Sequence, residues 1–370
     1  MSYKIMSFNI QDFGKNAVLN DSKNIDKIAE IIRENSVDIV AIQEITDPKA
    51  LELLITKLSQ QYSRKIKSEA DINIRENLKV KSSRTSEICG YYTDRWEGRW
   101  AAPISSYSKG SAEGYAFIWN RDRITLVNNY YGEAFEPRIE TFSEKNALIR
   151  PPFVGRFMPK RGRCEFRLIN VHVAFSIPSK MKNESSELYN ARITSDRQLR
   201  LNEFKELLGV YKKLDKKLYD INRKDRHARY LSPYTFLLGD YNLNLRTSDG
   251  EGAKLPEEFA KYEKDGLRLV TVNEELTTLK HKEQTELKGK KDDIDDHLAN
   301  NYDHFTFDEV KLENHNIENP EVGVVYAFRR YRKTSDSSRY SSYREEISDH
   351  LPILLTLDIG KRRIKKTGGT

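Results

Sequence analysis

Residues 22–58 read SKNIDKIAEIIRENSVDIVAIQEITDPKALELLITKL. Ile25, Ile28, Ile31 and Ile32 recur at the spacing of a helix with one buried stripe, and Ser22 stands where such a helix would be capped. The pattern returns in Leu51, Leu54, Ile55 and Leu58, after Asp47–Pro48, an N-cap followed by a first-turn proline. Between the two lies Asp38–Gln43, an apolar run short enough to be a strand buried on both faces. Helix, buried strand and helix in succession predict an α/β fold.

Outward from this stretch the same grammar continues. Tyr3–Phe8 reads as a first strand, and Tyr115–Trp119, Leu168–Val173, Phe236–Leu238, Tyr302–Phe307, Val322–Phe328 and Ile353–Leu357 are further apolar runs. A long helical pattern between Glu187 and Leu218 contains Ile193, Phe204, Leu207 and Leu208. There is no internal repeat and no Pro/Gly-rich boundary, so residues 1–360 are expected to form one domain, followed by a basic tail over 361–370. Three stretches read as insertions, near 212–232, 280–300 and 329–345. The first is dense in charge. The second swings from Lys288, Lys290 and Lys291 to Asp292, Asp293, Asp295 and Asp296, and the third is rich in Arg, Ser and Tyr.

Composition narrows the class. The chain has 370 residues, and 32% of them are charged, yet its 15 Phe, 20 Tyr and 3 Trp exceed what a disordered chain keeps. No run approaches the roughly 20 apolar residues of a membrane-spanning helix, so no membrane partner is expected. A formal charge of +7 favours polyanionic partners. Cys89 and Cys164 are too few for a disulfide framework and too scattered for structural zinc. Met1 leads into an apolar segment with no basic n-region or cleavage site, which predicts a cytoplasmic protein.

The residues that carry chemistry end the apolar runs. Asn9 follows Phe8, Glu44 ends DIVAIQE, and His172 lies in LINVHVAF. Asp240 and Asn242 end FLLGDYN, Asp303 begins DHFTF, and Asp349 and His350 precede the last strand. Strand ends converge on one rim of a sheet, where open α/β folds place their sites. Taken singly, Gly239–Asp240 is an ordinary turn, Ser348–Asp349 a cap, and His172 a core histidine. Glu44 resists so bland a reading, because a carboxylate ending a buried strand needs a partner or a cation. Together the set offers two imidazoles for acid–base work and hard oxygen ligands suited to Mg²⁺, with Mn²⁺ and Ca²⁺ as alternatives. That combination serves phosphodiester hydrolysis. No Walker loop, dinucleotide fingerprint or serine elbow is present.

These pieces resemble the endonuclease/exonuclease/phosphatase superfamily, most of all its deoxyribonuclease I branch. FNIQDFG, DIVAIQEI, EGYAFIWN, RPPFVGRF, LINVHVAF, LLGDYNL, YDHFTF and SDHLPI occur in family order and span residues 3 to 357. The resemblance implies a four-layer sandwich of two mixed β-sheets flanked by helices, with the site at one edge. It implies Glu44 as main metal ligand, with Asn9 and Asp349 joining it. Glu113 would orient His172, Asp303 would orient His350, and Arg150 would contact the scissile phosphate. Asp240 and Asn242 would complete the phosphate or second-metal site, and His350 would be the base with His172 near the leaving oxygen.

The chain departs from that branch as well. Thr46 and Ser111 replace its arginine and tyrosine that touch the minor groove, and its conserved disulfide cannot be matched to Cys89 and Cys164. Arg329, Arg330, Arg332, Lys333, Arg339 and Arg344, interleaved with Tyr331, Tyr340 and Tyr343, offer phosphate contact and base stacking instead. A solvated loop is the competing reading of that stretch. The expected activity is metal-dependent, endonucleolytic hydrolysis of DNA. The rivals are an apurinic-site endonuclease, an RNA nuclease, a sphingomyelinase-like phosphodiesterase, and a catalytically silent nucleic-acid-binding module.

Overall fold

The computed structural model describes residues 1–20, 22–60, 80–81, 87–102, 113–127, 129–130, 133–134, 137–140, 148–161, 164–174, 181–182, 184–224, 233–246, 252–280, 297–313, 317–330 and 336–359. Two large mixed sheets dominate. In the first, eight strands lie in the order Ile317–Val324, Ile353–Ile359, Ser2–Phe13, Ile39–Ile45, Gly114–Asn120, Trp96–Ala101, Glu87–Tyr92 and Val80–Lys81. In the second, the order is Arg138–Ile139, Phe153–Pro159, Phe166–His172, Tyr234–Asp240, Asp303–Asp308 and Leu269–Val272, with Ile124–Leu126 pairing to Phe153–Pro159. Each sheet has one central parallel pair, Ser2–Phe13 with Ile39–Ile45 and Phe166–His172 with Tyr234–Asp240; the other pairings are antiparallel.

Period-2 alternation assigns the faces. Tyr3 and Ile5, Ile39 and Ala41, Phe166 and Leu168, Tyr234, Phe236 and Leu238, and Phe305 and Phe307 all turn toward the space between the sheets and form one apolar cluster. The opposite residues of the first sheet, Met6, Phe8, Val40 and Ile42, pack under the helices Ile25–Glu34 and Pro48–Gln60. Those of the second, Ile169, Val171 and Leu237, pack under the 39-residue helix Ser186–Lys224 through Phe204, Leu207, Leu208 and Tyr211. Helices, sheet, sheet and helices give the expected four-layer sandwich.

Local details differ from the sequence reading. Ser22 caps nothing: its hydroxyl donates to Ala17 O at 2.9 Å, and Asn24 is the cap, its side chain accepting from Lys27 N. Asp47 does cap the next helix, accepting from Lys49 N at 2.7 Å. The run Val322–Phe328 is not one strand. It leaves the sheet after Val324 and turns into a short 3₁₀ helix over Ala327–Arg330. The charge-dense stretch from Lys212 continues the long helix as far as Lys224. Residues 225–232, 281–296 and 360–370 lie outside the described residues, as do Ser111, Tyr331, Arg332 and Lys333.

Candidate active site

Along the space between the sheets, each central strand changes from apolar to polar toward one end. Tyr3 and Ile5 give way to Ser7 and Asn9, and Ile39 and Ala41 to Gln43. Phe166 and Leu168 lead to Asn170 and His172, and Phe236 and Leu238 to Asp240. The lower tier, Ser7, Gln43 and Asn170, is fully buried and hydrogen-bonded across the two sheets. Gln43 Nε2 donates to Asn170 Oδ1 at 2.6 Å and to Ser7 Oγ at 3.2 Å, while Asn170 Nδ2 donates to Ile42 O at 3.0 Å. This amide layer joins the sheets beneath the site and fixes its floor.

The tier above it is the candidate site. Strand register sets His172 opposite Asp240, and Asp240 opposite Asp303. Getting Asp240 there needs Gly239, whose φ is +141° and whose place a Cβ would enter only 2.0 Å from Val171 O. Glu44 reaches the site by a different device. The pairing of its strand slips on both sides between Ile42 and Ile45, and Glu44 has φ +60°. A regular strand would turn the residue after Gln43 away; the bulge turns it back inward.

Asn9 ties these groups together, its Nδ2 donating to Glu44 Oε1 at 2.9 Å and to Asp240 Oδ2 at 3.0 Å. The Asp303 carboxylate accepts from His350 Nδ1 at 2.8 Å, and His350 Nε2 then stands 3.6 Å from Asp240 Oδ2. His172 Nε2 lies 3.6 Å from Glu44 Oε1 and 3.7 Å from Asp240 Oδ2. Asp240 is therefore the common neighbour of both imidazoles. Asn242, with φ +49°, donates its side-chain amide to Val173 O at 2.8 Å and its backbone N–H to Asp240 Oδ1 at 2.8 Å.

Electrostatics separates the two buried members. Burial alone would lower the His350 pKa, but the charges of Asp303 and Asp240 and the hydrogen bond to Asp303 outweigh it and hold the imidazole well above its ordinary range. Burial raises the Asp240 carboxyl, against the opposing pull of His350. Glu113 goes the other way. Burial would raise it, but the hydrogen bond and charge of His172 and the charge of Arg150 hold it below the usual carboxylate range.

Arg150 is engaged more closely than sequence suggests. Its Nη2 lies 2.8 Å from Glu113 Oε2 and its Nη1 2.8 Å from His172 Nδ1, while Glu113 Oε2 is 3.3 Å from that nitrogen. His172 Nδ1 thus faces both a guanidinium, which only donates, and a carboxylate, which only accepts, while its Nε2 faces Glu44 and Asp240. Asp349 stands apart from both ligand clusters and pairs with Arg344 Nη2 at 3.4 Å. Of the aromatic-basic stretch, Arg329 is exposed and lies over the Tyr326 ring at 4.6 Å. Tyr340 is packed inward between Phe328 and His297, 3.8 Å from the latter's ring, which takes that face away from any base.

Several supporting residues were not foreseen. Buried Glu203, from the long helix, accepts from Arg150 N at 3.2 Å and Ala174 N at 3.1 Å, pinning both flanks of His172. Tyr115 OH accepts from His172 N at 3.1 Å. Ser348 Oγ donates to Asn9 O at 2.8 Å and accepts from His350 N at 3.0 Å, stitching the last loop to the first strand. The cap-like reading of Ser348 carried the only sequence signal for any of them.

The donor set fits a hard divalent cation. Ligand atoms of Glu44, His172 and Asp240 lie within 4.8 Å of one another, and so do those of Asp240, Asp303 and His350. The second set is already a hydrogen-bonded pair beside a carboxylate. The first has beside it Asn9 Oδ1, a fully buried acceptor with no hydrogen-bond partner among the described residues. A buried carbonyl oxygen with no donor is unfavourable unless a cation or another donor meets it.

Comparisons with known proteins identify the family. The sequence model described as Endonuclease/Exonuclease/phosphatase family matches residues 6–350. Endonuclease/exonuclease/phosphatase family domain-containing protein 1 of Xenopus laevis is 23% identical over 259 residues, which cover 68% of this chain and 40% of that protein. The human protein of the same name is 26% identical over 235 residues, covering 60% of this chain and 35% of that one. The chain thus spans about two fifths of the curated relatives it matches. Among solved structures, an endonuclease/exonuclease/phosphatase family protein from Bacteroides thetaiotaomicron aligns over 97% of this chain and 98% of its own, at 14% identity and a TM-score of 0.48.

Proposed function

The chain belongs to the Endonuclease/Exonuclease/phosphatase family, and on that premise we propose that it is a divalent-metal-dependent nuclease that hydrolyses phosphodiester bonds of DNA. The observation that carries this reading is the meeting of two carboxylate–imidazole pairs, Asp303–His350 and Glu113–His172, around a shared buried Asp240. The +7 charge favours a polyanionic substrate.

Glu44 and Asn9 would hold the cation, Mg²⁺ first, which would supply charge neutralisation at the phosphate. The chain's own groups divide the remaining work. His350, kept protonated by Asp303, donates to a phosphate oxygen through Nε2. That assignment moves the base role from His350, where the family resemblance put it, to Asp240, whose raised pKa suits it to take a proton from the attacking water. His172, its Nε2 facing Glu44 and Asp240, serves the leaving oxygen. Asn242 fixes Asp240 through its backbone N–H. Arg150 holds His172 and Glu113 in place and presents the remaining positive charge to the phosphate.

The test is cleavage by purified protein with Mg²⁺ or Mn²⁺, with a chelator control. Intact duplex DNA, single-stranded DNA, abasic duplex, poly(A) and sphingomyelin are compared. Chelator-sensitive nicking of intact DNA is the expected result. Turnover confined to abasic duplex, poly(A) or sphingomyelin would reassign the substrate, and binding without cleavage would make the chain a silent module.

A further inference from the structure

Residues 186–199 of the long helix add nothing to the core, for none of them is buried. Burial begins at Glu203 and Phe204, where the helix settles on the second sheet. Arg200 stands at the changeover and reaches sideways to the rim that carries the candidate site. Its Nη1 donates to Asn242 O at 2.8 Å, and its guanidinium also hydrogen-bonds the Tyr302 side chain. Its Nε lies 3.5 Å from Asp196 Oδ2, one helical turn earlier. With 11% of its side chain exposed, Arg200 is occupied by the protein and presents little surface to a substrate.

What it holds is a turn that needs holding. Asn242 has φ +49°, and a left-handed residue other than glycine persists only where its surroundings over-determine it. Two of its ties run to the neighbouring strand ends: Nδ2 donates to Val173 O and the backbone N–H to Asp240 Oδ1, both at 2.8 Å. The carbonyl bond to Arg200 is the tie that reaches a different element. The N–H bond bears on the chemistry. It fixes one oxygen of the Asp240 carboxylate while the other, Oδ2, meets Asn9 Nδ2 at 3.0 Å and lies 3.6 Å from His350 Nε2 and 3.7 Å from His172 Nε2. Tyr302, also bound by Arg200, immediately precedes Asp303, which strand register sets opposite Asp240. One guanidinium thus braces the segments that carry both acids.

We propose that Arg200 is a positioning residue for the reaction: it holds Asn242 left-handed, so that the Asn242 N–H keeps Asp240 aimed at the two imidazoles. The kinetic half of this rests on the nuclease reading; the geometric half does not. A plain anchor for the helix would behave differently. Its loss would lower stability throughout and leave turnover per folded molecule unchanged, whereas a misaimed carboxylate lowers turnover while substrate still binds.

Arg200→Met, which removes the donor and keeps the apolar stem, provides the test. Should it fail to fold, Arg200→Gln, whose amide stops short of Asn242 O, takes its place. Hydrogen exchange of the ¹⁵N-labelled chain in metal-free buffer reads the geometry. The Asn242 amide should exchange at least about tenfold faster in the variant, with the Ile169 amide of the neighbouring strand unchanged. DNA nicking at saturating Mg²⁺ reads the consequence. The value of kcat should fall on the order of 10–10²-fold, with KM within about twofold of the parent. Parent-like exchange at Asn242, or a parent-like kcat in an active variant, would overturn the proposal. So would faster exchange at Asn242 and Ile169 alike, which marks a general loss of stability. If the parent itself cleaves nothing, the nuclease reading falls, and the Asn242 amide alone decides whether Arg200 holds the turn.

Discussion

His350 is 8% exposed and makes one short hydrogen bond, to Asp303, yet carries most of the chemistry proposed for the site. Its raised pKa means that it keeps its proton as pH rises past the ordinary histidine range and loses it only at the raised value. Asp240, also raised, loses its base function as pH falls through its own value. The two titrate as a coupled set, so kcat/KM should describe a bell whose limbs belong to the pair. His350→Gln should lower the rate about 10²–10⁴-fold and remove the alkaline limb. Full retention of that limb in the variant would take His350 out of the proton-bearing role. At this scale the sequence is informative only for side chains whose mere presence is anomalous. Asp240, His172 and His350 interrupt or flank apolar runs and are visible for that reason. The left-handed backbone of Glu44 leaves no trace in the letters around it, because the bulge comes from pairing with strands far away in the chain. Arg150 is legible as a residue of the motif, but not as a guanidinium already held between Glu113 and His172.

Elements were easier to read than their edges. The alternation that buries Tyr3, Ile5, Phe166, Leu168 and Phe236 between the sheets also carries Asn9, His172 and Asp240 onto the same face, so strand and site were legible from one pattern. Edges failed where two local partners compete. Ser22 lost the capping position because Ala17 O takes its hydroxyl and Asn24 lies nearer the first turn. Val322–Phe328 reads as one apolar run although Ala327 and Phe328 serve a different cluster from the strand. The glycines give a test at this scale. Gly239→Ala places a Cβ against Val171 O in a backbone region closed to alanine, and should cost at least about 2 kcal/mol. Gly209, inside the long helix, has nothing within 4 Å of an added Cβ. Gly209→Ala should therefore stabilise by about 0.5–1 kcal/mol. Urea unfolding of the two variants reads both; a Gly239→Ala protein as stable as the parent would show that the tight approach to Val171 is dispensable.

The molecule as a whole puts its strongest electrostatic strain at one rim. Two sheets joined by an amide layer bring Glu44, Asp240 and Asp303 together, and Asp12 feels Glu44. Burial, then Glu44, Glu113 and Asp349, raise its carboxyl, with Lys23 pulling the other way. Lys23 is itself largely buried, its Nζ donating to Ile347 O at 3.0 Å, so little positive charge is free to move in. Such crowding destabilises the fold until a cation joins the carboxylates, and the cation's binding energy then becomes folding energy. At a Mg²⁺ concentration about 100 times its Kd, the gain should be about 2.7 kcal/mol, or a rise in Tm of about 3.5 °C for a chain of this size. Glu44→Gln keeps the acceptor for Asn9 Nδ2 but removes a charge. It should melt slightly higher than the parent without metal and show little further rise when Mg²⁺ is added. Thermal melts of both proteins, with Mg²⁺ and then with excess chelator, separate the outcomes. An equal rise in both would place the cation elsewhere, and no rise in the parent would mean that the carboxylates tolerate one another without it.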